Sequence, residues 1–311
     1  MTAPQSLRVH SGELELAARV WDNPSRPTLV LVHGYPDNQR VWEPVVAHLT
    51  ERYRIITYDV RGSGESDAPD RTAEYKLDRL AADLKAITDA LCPEQPFHLV
   101  AHDWGSIQSW ESVTDPAMQP RIASYTTISG PCLDHVGCWM RRRLSRPVPK
   151  NLMALFGQLL HSWYIFLFHL PWLMPLLWRK FIAVRWPMVL QRLEGLDNEP
   201  SATRLKDGYH AIKLYRANMI PRLLFPRPRH TRVPVQAIVL LQDKHVRPQL
   251  FDELSQWTRQ LWRRDIAVGH WAILHDRPSR LAGFIAEFVD FVEAGIETAE
   301  LAKGRNHLPH A

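Results

Sequence analysis

The segment Ala101-His102-Asp103-Trp104-Gly105 puts a carboxylate at the centre of a tight turn. Phe97 to Ala101 reads as a buried strand, and the small residues two before and two after Asp103 let the chain turn at once into a helix. A side chain at such a corner stands beyond the carboxyl end of its strand, where open parallel sheets bind ligands. A carboxylate there needs no base to become nucleophilic, because it is already ionised at neutral pH. The positive end of the following helix would favour that charged form within an apolar pocket. The plainer alternative is an Asp that only caps the helix. Two more polar residues follow strand-like runs in the same way: Asp243 after Val235 to Leu241, and His270 after Ile266 to Val268. Their shared position at strand ends implies one common site.

The elements that must hold these residues are legible along the chain. Leu7 to His10 and Leu14 to Trp21 flank Ser11-Gly12 and read as a hairpin. Thr28 to Val32, Arg54 to Tyr58 and Ile122 to Ile128 look like strands buried on both faces. Asp78 to Leu91 carries Leu80, Leu84, Ile87 and Leu91 on one helical face. A final helix is expected over Arg280 to Ala294, then a frayed polar tail from Ala302. Between about Cys132 and Pro226 strand signals stop, and the chain becomes Trp-rich, Pro-punctuated and helical. The expectation is a parallel sheet with helices on both faces and a helical lid over one end. Residues 1–131 and 227–311 would form the core, and 132–226 the lid.

At this point the segments resemble a known family. Ala101 to Gly105, together with His33-Gly34-Tyr35-Pro36-Asp37 and Asp59-Val60-Arg61-Gly62-Ser63-Gly64-Glu65-Ser66-Asp67, resembles the epoxide hydrolases of the α/β-hydrolase fold. The resemblance runs from the first strands to the final helix. It is nearest to bacterial hydrolases whose domain is sometimes fused to a short-chain dehydrogenase, with no second domain expected in this sequence. Ala101 departs from the Gly more usual at that place, but it is small enough for the turn. The resemblance implies an α/β class with a mostly parallel eight-stranded sheet and a helical cap inserted after the sixth strand. It implies Asp103 as nucleophile, His270 as the base that activates water, and Asp243 as the carboxylate that orients it. The N–H groups of Tyr35 and Trp104 would hold the oxyanion formed when an ester of Asp103 is hydrolysed. Opening an epoxide also requires a donor for the leaving oxygen, and Tyr164 and Tyr215 resemble the family's two lid tyrosines. His33, Pro36, Phe168 and Trp271 are expected to line the substrate pocket. No metal or organic cofactor is expected. His102 and the other histidines weighed (His98, His161, His169, His210 and His275) read as packing or surface residues.

Haloalkane dehalogenases share the Asp and His, and Trp104 suits their halide, but Tyr35 stands where many of them carry Asn. Fluoroacetate dehalogenases tend to carry Arg after the nucleophile. A serine esterase is disfavoured because Ser106 lies outside the centre of the turn. A hydrolase fold turned lipid-binding or membrane-associated scaffold remains the non-enzymatic alternative.

Composition sets outer bounds. In 311 residues, 45% hydrophobic and 23% charged, there is room for one large core with an insertion. Cys92, Cys132 and Cys138 are an odd number without metal-ligand spacing, as expected for free thiols in a reducing compartment. Met1 to Gly12 lacks a signal-length apolar run, and a cytoplasmic protein is expected. The net charge of +5 is unevenly placed: from Asp134 to Glu194 there is no carboxylate between, yet Arg141, Arg142, Arg143, Arg146, Lys150, Arg179, Lys180, Arg185 and Arg192 fall inside. Within that region Asn151 to Trp178 is uncharged and long enough to span a bilayer, although Pro171 and Pro175 would break a spanning helix. The expectation is a set of apolar lid helices over a greasy pocket, with peripheral contact to an anionic membrane surface as a further role for the lid. No basic face with interleaved readout residues suggests nucleic acid. The anticipated partner is a small hydrophobic epoxide, and oligomeric state is not legible.

Overall fold

The computed structural model describes residues 3–197 and 201–305. Its centre is a sheet of eight strands: β1 Gln5–Ser11, β2 Leu14–Trp21, β3 Thr28–Val32, β4 Arg54–Tyr58, β5 Phe97–His102, β6 Ile122–Ile128, β7 Val235–Leu240 and β8 Leu261–Ile266. They lie in the order β1-β2-β4-β3-β5-β6-β7-β8. The β1–β2 hairpin is antiparallel and β2 pairs antiparallel with β4, while every later pairing is parallel.

The alternation of side chains along the strands builds two cores. On β3, Leu29 and Leu31 join one apolar cluster while Val30 and Val32 join the other. The two-residue period of a strand sends successive side chains to opposite faces, so a strand buried on both sides must be apolar throughout. Helices cover both faces: α1 Glu43–Val46, α2 Leu77–Leu91 and α3 Trp104–Val113 precede the lid, and α10 Ala272–His275, α11 Pro278–Ala294 and α12 Ala299–Lys303 follow it. Buried Asp83 on α2 receives Arg61 through two bonds of 2.6 and 2.7 Å, which ties down the Gly-rich turn after β4.

The lid lies between β6 and β7. It comprises α4 Leu133–Leu144, α5 Pro149–His161, α6 Trp163–His169, α7 Leu173–Leu177, α8 Ala183–Glu194 and α9 Arg204–Leu224, with a π-helical stretch, Trp178–Ile182, joining α7 to α8. Thus the uncharged run from Asn151 to Trp178 is broken at Ser162 and again around Pro171.

The expected elements recur with three differences. The last strand is Leu261–Ile266, and Ala267 and Val268 lie beyond it. Arg263, Arg264 and Asp265 hid this edge strand from a search for apolar runs; Arg264 reaches Gln236 and Glu287 rather than water alone. A short helix, α12, follows the one expected to be last. Residues 302–305 of the expected frayed tail are held: Arg263 N–H donates to the Gly304 carbonyl at 2.7 Å, and Arg305 pairs with Glu297. Residues 306–311 of that tail lie outside the described residues.

Candidate active site

Asp103 stands between β5 and α3 at φ 51°, a left-handed conformation strained for any residue with a Cβ. The surroundings enforce it. A Cβ at Gly105 would collide with the carbonyl oxygens of Val32 and His33, so only glycine lets α3 start this close to β3. The carboxylate does not cap the helix. Oδ2 instead accepts the backbone N–H of Tyr35 at 2.7 Å, and the N–H of Trp104 also favours the ionised form. A Cβ at Gly34 would strike Oδ2, so that glycine keeps the cradle open. Oδ1 is left facing His270 Nε2 at 3.7 Å, an ion-pair separation rather than a hydrogen bond.

The imidazole of His270 is fixed from its other side. Nδ1 lies 2.8 Å from Asp243 Oδ2 and 3.1 Å from Ser129 Oγ. Asp243 is saturated: Oδ1 accepts the N–H groups of His245 at 2.6 Å and Val246 at 2.9 Å, while Oδ2 also accepts the Ser129 hydroxyl. The cap contributes as well, because Glu194 at the end of α8 accepts the N–H groups of His270, Trp271 and Ala272.

Electrostatics follow from this packing. Burial raises the Asp103 carboxyl to about 6, and the His270 charge and the two N–H donors limit the rise. Burial would depress His270, yet Asp243, with Asp103 and Glu194 behind it, lifts it to about 9. Burial would likewise raise Asp243, but the His270 charge and the hydrogen bonds from His270, Ser129 and Val246 hold it far below the carboxylate range. At neutral pH the site therefore rests as two carboxylates about an imidazolium.

A cavity of about 190 Å³ opens above Asp103, with Trp104, Tyr164 of α6 and Tyr215 of α9 in its wall. The rest of the lining is mostly apolar and comes largely from the lid, including Trp139, Leu155, Ile165 and Met219. Burial first, and then neighbouring acidic groups including Asp103, hold both phenols well above their ordinary range, so both are protonated donors at neutral pH. A wider cleft of about 800 Å³, walled by Gln119, His230, Trp257 and Arg259 among others, contains none of these groups.

The structure thus brings Asp103, His270, Asp243, Tyr164, Tyr215 and the N–H groups of Tyr35 and Trp104 together. The four expected pocket residues do not line the cavity. His33 is a strut, with Nε2 accepting the Val60 N–H at 2.9 Å and Nδ1 3.1 Å from the Gly34 carbonyl. Pro36 borders a separate polar notch beside Asp37, Arg204 and Asp207. Phe168 lies behind the tyrosines, stacked on Tyr215 at 4.3 Å and edge-on to Tyr164 at 5.9 Å. Trp271 is turned into the core, its indole N–H donating to Asp37 at 2.8 Å. Three of them are taken up by partners within the protein: His33 by Val60, Trp271 by Asp37 and Phe168 by the Tyr215 ring. His102 is structural, its Nε2 lying 3.0 Å from the His270 carbonyl.

Three contributors escaped the sequence reading. Ser129 follows β6 directly and shares the positive φ of 51°, so its position after a strand was a usable signal. His245 lines the cavity with its ring 5.2 Å from that of His270 and 5.7 Å from that of Tyr164. Its place two residues after Asp243 was the clue. Glu194 carried a signal only as the carboxylate that ends the acid-free stretch.

Sheet order, helical insertion and strained turn together define an α/β-hydrolase, and the chain belongs to that family, whose model, described as alpha/beta hydrolase fold, matches residues 27–276. Relatives are similar over most of this chain. The chain is 38% identical over 282 residues to the probable oxidoreductase EphD of Mycobacterium tuberculosis, covering 87% of this chain and 47% of that relative, so it spans about half its length. It is 27% identical over 279 residues to epoxide hydrolase 3 of Xenopus tropicalis, covering 85% of this chain and 71% of the other. Among solved structures the fold is similar to an epoxide hydrolase of Bacillus megaterium, with TM-score 0.74 and 19% identity over 92% of this chain and 100% of that one. An epoxide hydrolase of Vigna radiata gives TM-score 0.72 and 20% identity over 93% and 99%.

Proposed function

We propose that this site hydrolyses a hydrophobic epoxide to a vicinal diol through a covalent ester of Asp103. The observation that carries the reading is the opposition, across one apolar cavity, of an ionised carboxylate and two protonated tyrosines. Relatives named as epoxide hydrolases add support from the family side.

Oδ1, the oxygen not held by Tyr35, attacks an epoxide carbon. The ring C–O bond breaks as Tyr164 and Tyr215 hydrogen-bond the departing oxygen and one phenol passes its proton to it. Without them an alkoxide would form in an apolar site, where an unpaired charge is costly. Esterification removes the Asp103 charge that helps to sustain the imidazolium, so His270 loses its proton more readily and can restore the phenol. The neutral imidazole, oriented by Asp243 and Ser129, then takes a proton from water, whose oxygen adds to Cγ of Asp103. Oδ2 becomes the oxyanion in the cradle of Tyr35 and Trp104 N–H groups. The Cγ–Oδ1 bond breaks as the imidazolium of His270 passes a proton to Oδ1, the diol leaves with Oδ1, the new carboxyl returns its proton to His270, and the water oxygen stays in Asp103.

Single turnover in ¹⁸O-water tests this directly. The label is expected in Asp103 and absent from the diol; label entering the diol at the first turnover would mean direct attack by water. A panel of styrene oxide, a long-chain fatty epoxide and 1-bromobutane tests the class, because bromide release without diol would make the enzyme a dehalogenase.

A further inference from the structure

The lid presents a large apolar surface that no part of the described chain covers. On α5, Leu152, Met153, Phe156, Leu159 and Leu160 recur at one helical face and are exposed, with Met153 at 74%. Trp163 and Phe166 continue this surface on α6, and Trp172 beyond it is 76% exposed. On α8 Val184 and Met188 are likewise exposed. Ordinary protein surfaces scatter such residues singly, whereas a contiguous run of them marks a contact site.

Charge identifies what makes the contact. Arg146, Lys150, Arg179, Lys180, Arg185 and Arg192 are exposed on the same lid, and none forms a salt bridge among the described residues. No carboxylate occurs between Asp134 and Glu194 to offset them. Aromatic and aliphatic side chains together with exposed cations on one lid match the boundary of an anionic bilayer, where the rings enter the acyl region and the cations meet lipid phosphates. A second copy of this chain would bring the same cations against each other. Among the described residues no single helix is long and apolar enough to cross a bilayer, and the α5–α6 pair that passes by composition bends by 52°. The geometry therefore suits helices lying in the interface.

The cavity meets this surface. Leu159 of α5, Phe166 of α6 and Ile220 of α9 line the cavity and are also exposed, at 46, 63 and 48%. We infer that the lid docks on anionic membrane with the cavity mouth turned to the lipid, so that the substrate is a lipidic epoxide drawn from the bilayer. The docking stands on the surface alone; the identity of the substrate rests on the epoxide reading above.

The test is flotation of the full chain with vesicles of equal phosphatidylcholine and phosphatidylglycerol, beside pure phosphatidylcholine vesicles. Two variants are compared: Phe156→Ser with Trp163→Ser and Trp172→Ser, and Arg146→Gln with Lys150→Gln, Arg179→Gln and Lys180→Gln. The wild type is expected to float with the anionic vesicles and to be released by salt, and each variant to lose roughly a hundredfold or more in partition. These residues are exposed and outside the reacting site, so unchanged melting temperature and unchanged hydrolysis of styrene oxide in water check the folding of both variants. Turnover of a long-chain fatty epoxide embedded in the vesicles should fall with partition. Failure of the wild type to float overturns the docking and leaves the epoxide reading to the soluble substrate. Flotation without diol from any epoxide keeps the docking and overturns the lipidic substrate. A wild-type dimer that the apolar variant splits, with no flotation, makes the face a self-association surface and overturns the proposal.

Discussion

Glu194, the last residue of a lid helix, accepts the backbone N–H of His270 at 2.8 Å and those of the next two residues at 2.8 and 2.9 Å. The lid thus holds the loop that carries His270 as well as roofing the cavity. The negative charge also helps keep the imidazole protonated. Glu194→Gln leaves one carbonyl oxygen for three donors. It is expected to slow hydrolysis of the ester by roughly ten- to a hundredfold through misplacement of the imidazole, with less effect on ester formation. The pKa of His270, read by NMR, should fall below its wild-type value, because the imidazolium loses a favourable charge. An unchanged His270 pKa would leave Glu194 with a packing role only.

The buried carboxylate of Asp103 is a cost to the fold. Its pKa of about 6 lies above the ordinary carboxylate value, so the native state binds this proton more tightly than the unfolded chain. The associated stability is fully present below the unfolded pKa and is lost as pH rises through about 6. Asp103→Asn cannot ionise, and it also weakens the pairing of His270. The net expectation is loss of turnover with a gain of roughly 1–2 kcal/mol near pH 8, shrinking toward pH 4, measured by denaturant unfolding.

Under the proposed mechanism the same group sets the acid limb of activity. Because kcat/KM reports the free enzyme, it should plateau above pH 6 and fall about tenfold per pH unit below it. In the proposed mechanism ester hydrolysis uses neutral His270, so its rate should rise with pH through an apparent pKa lower than the value of about 9 that holds while Asp103 is charged. Rapid-quench measurements of the two half-reactions separate these limbs. Insensitivity of ester formation to pH between 4 and 7 would remove Asp103 as nucleophile.

Tyr164→Phe and Tyr215→Phe each delete one donor and leave the aromatic wall in place. Each should slow ring opening by about 10–10² and the pair by about 10²–10⁴, the range of general acid catalysis. The phenols stand in largely apolar surroundings, so the melting temperature should move little. Full activity in the double variant would transfer the leaving oxygen to another group.

Asp243→Asn removes the charge opposite His270 and can leave Nδ1 without its proton. Ester hydrolysis should drop by roughly 10³–10⁴ while ester formation continues. The trapped ester would then appear by mass spectrometry on a peptide containing Asp103.

The sequence by itself determined the sheet apart from its last edge strand, and the chemical groups on its carboxyl edge. Runs such as Thr28–Val32 and Phe97–Ala101 read as buried on both faces, and the small residues around Asp103 permit a sharp turn after β5. The spacing of these signals is local, which is why they can be read from one chain. Long-range packing decided the rest. His33 and Trp271 lie beside the site in the chain, yet Val60 and Asp37 draw them away from the cavity. Glu194 and Ser129 reach His270 from elements separated from it by 76 and 141 residues, and no local pattern encodes such meetings. The cavity and its mouth belong to the same category: they exist only where α5, α6 and α9 pack across the end of the sheet, and that packing is set by the shapes of side chains distant in sequence.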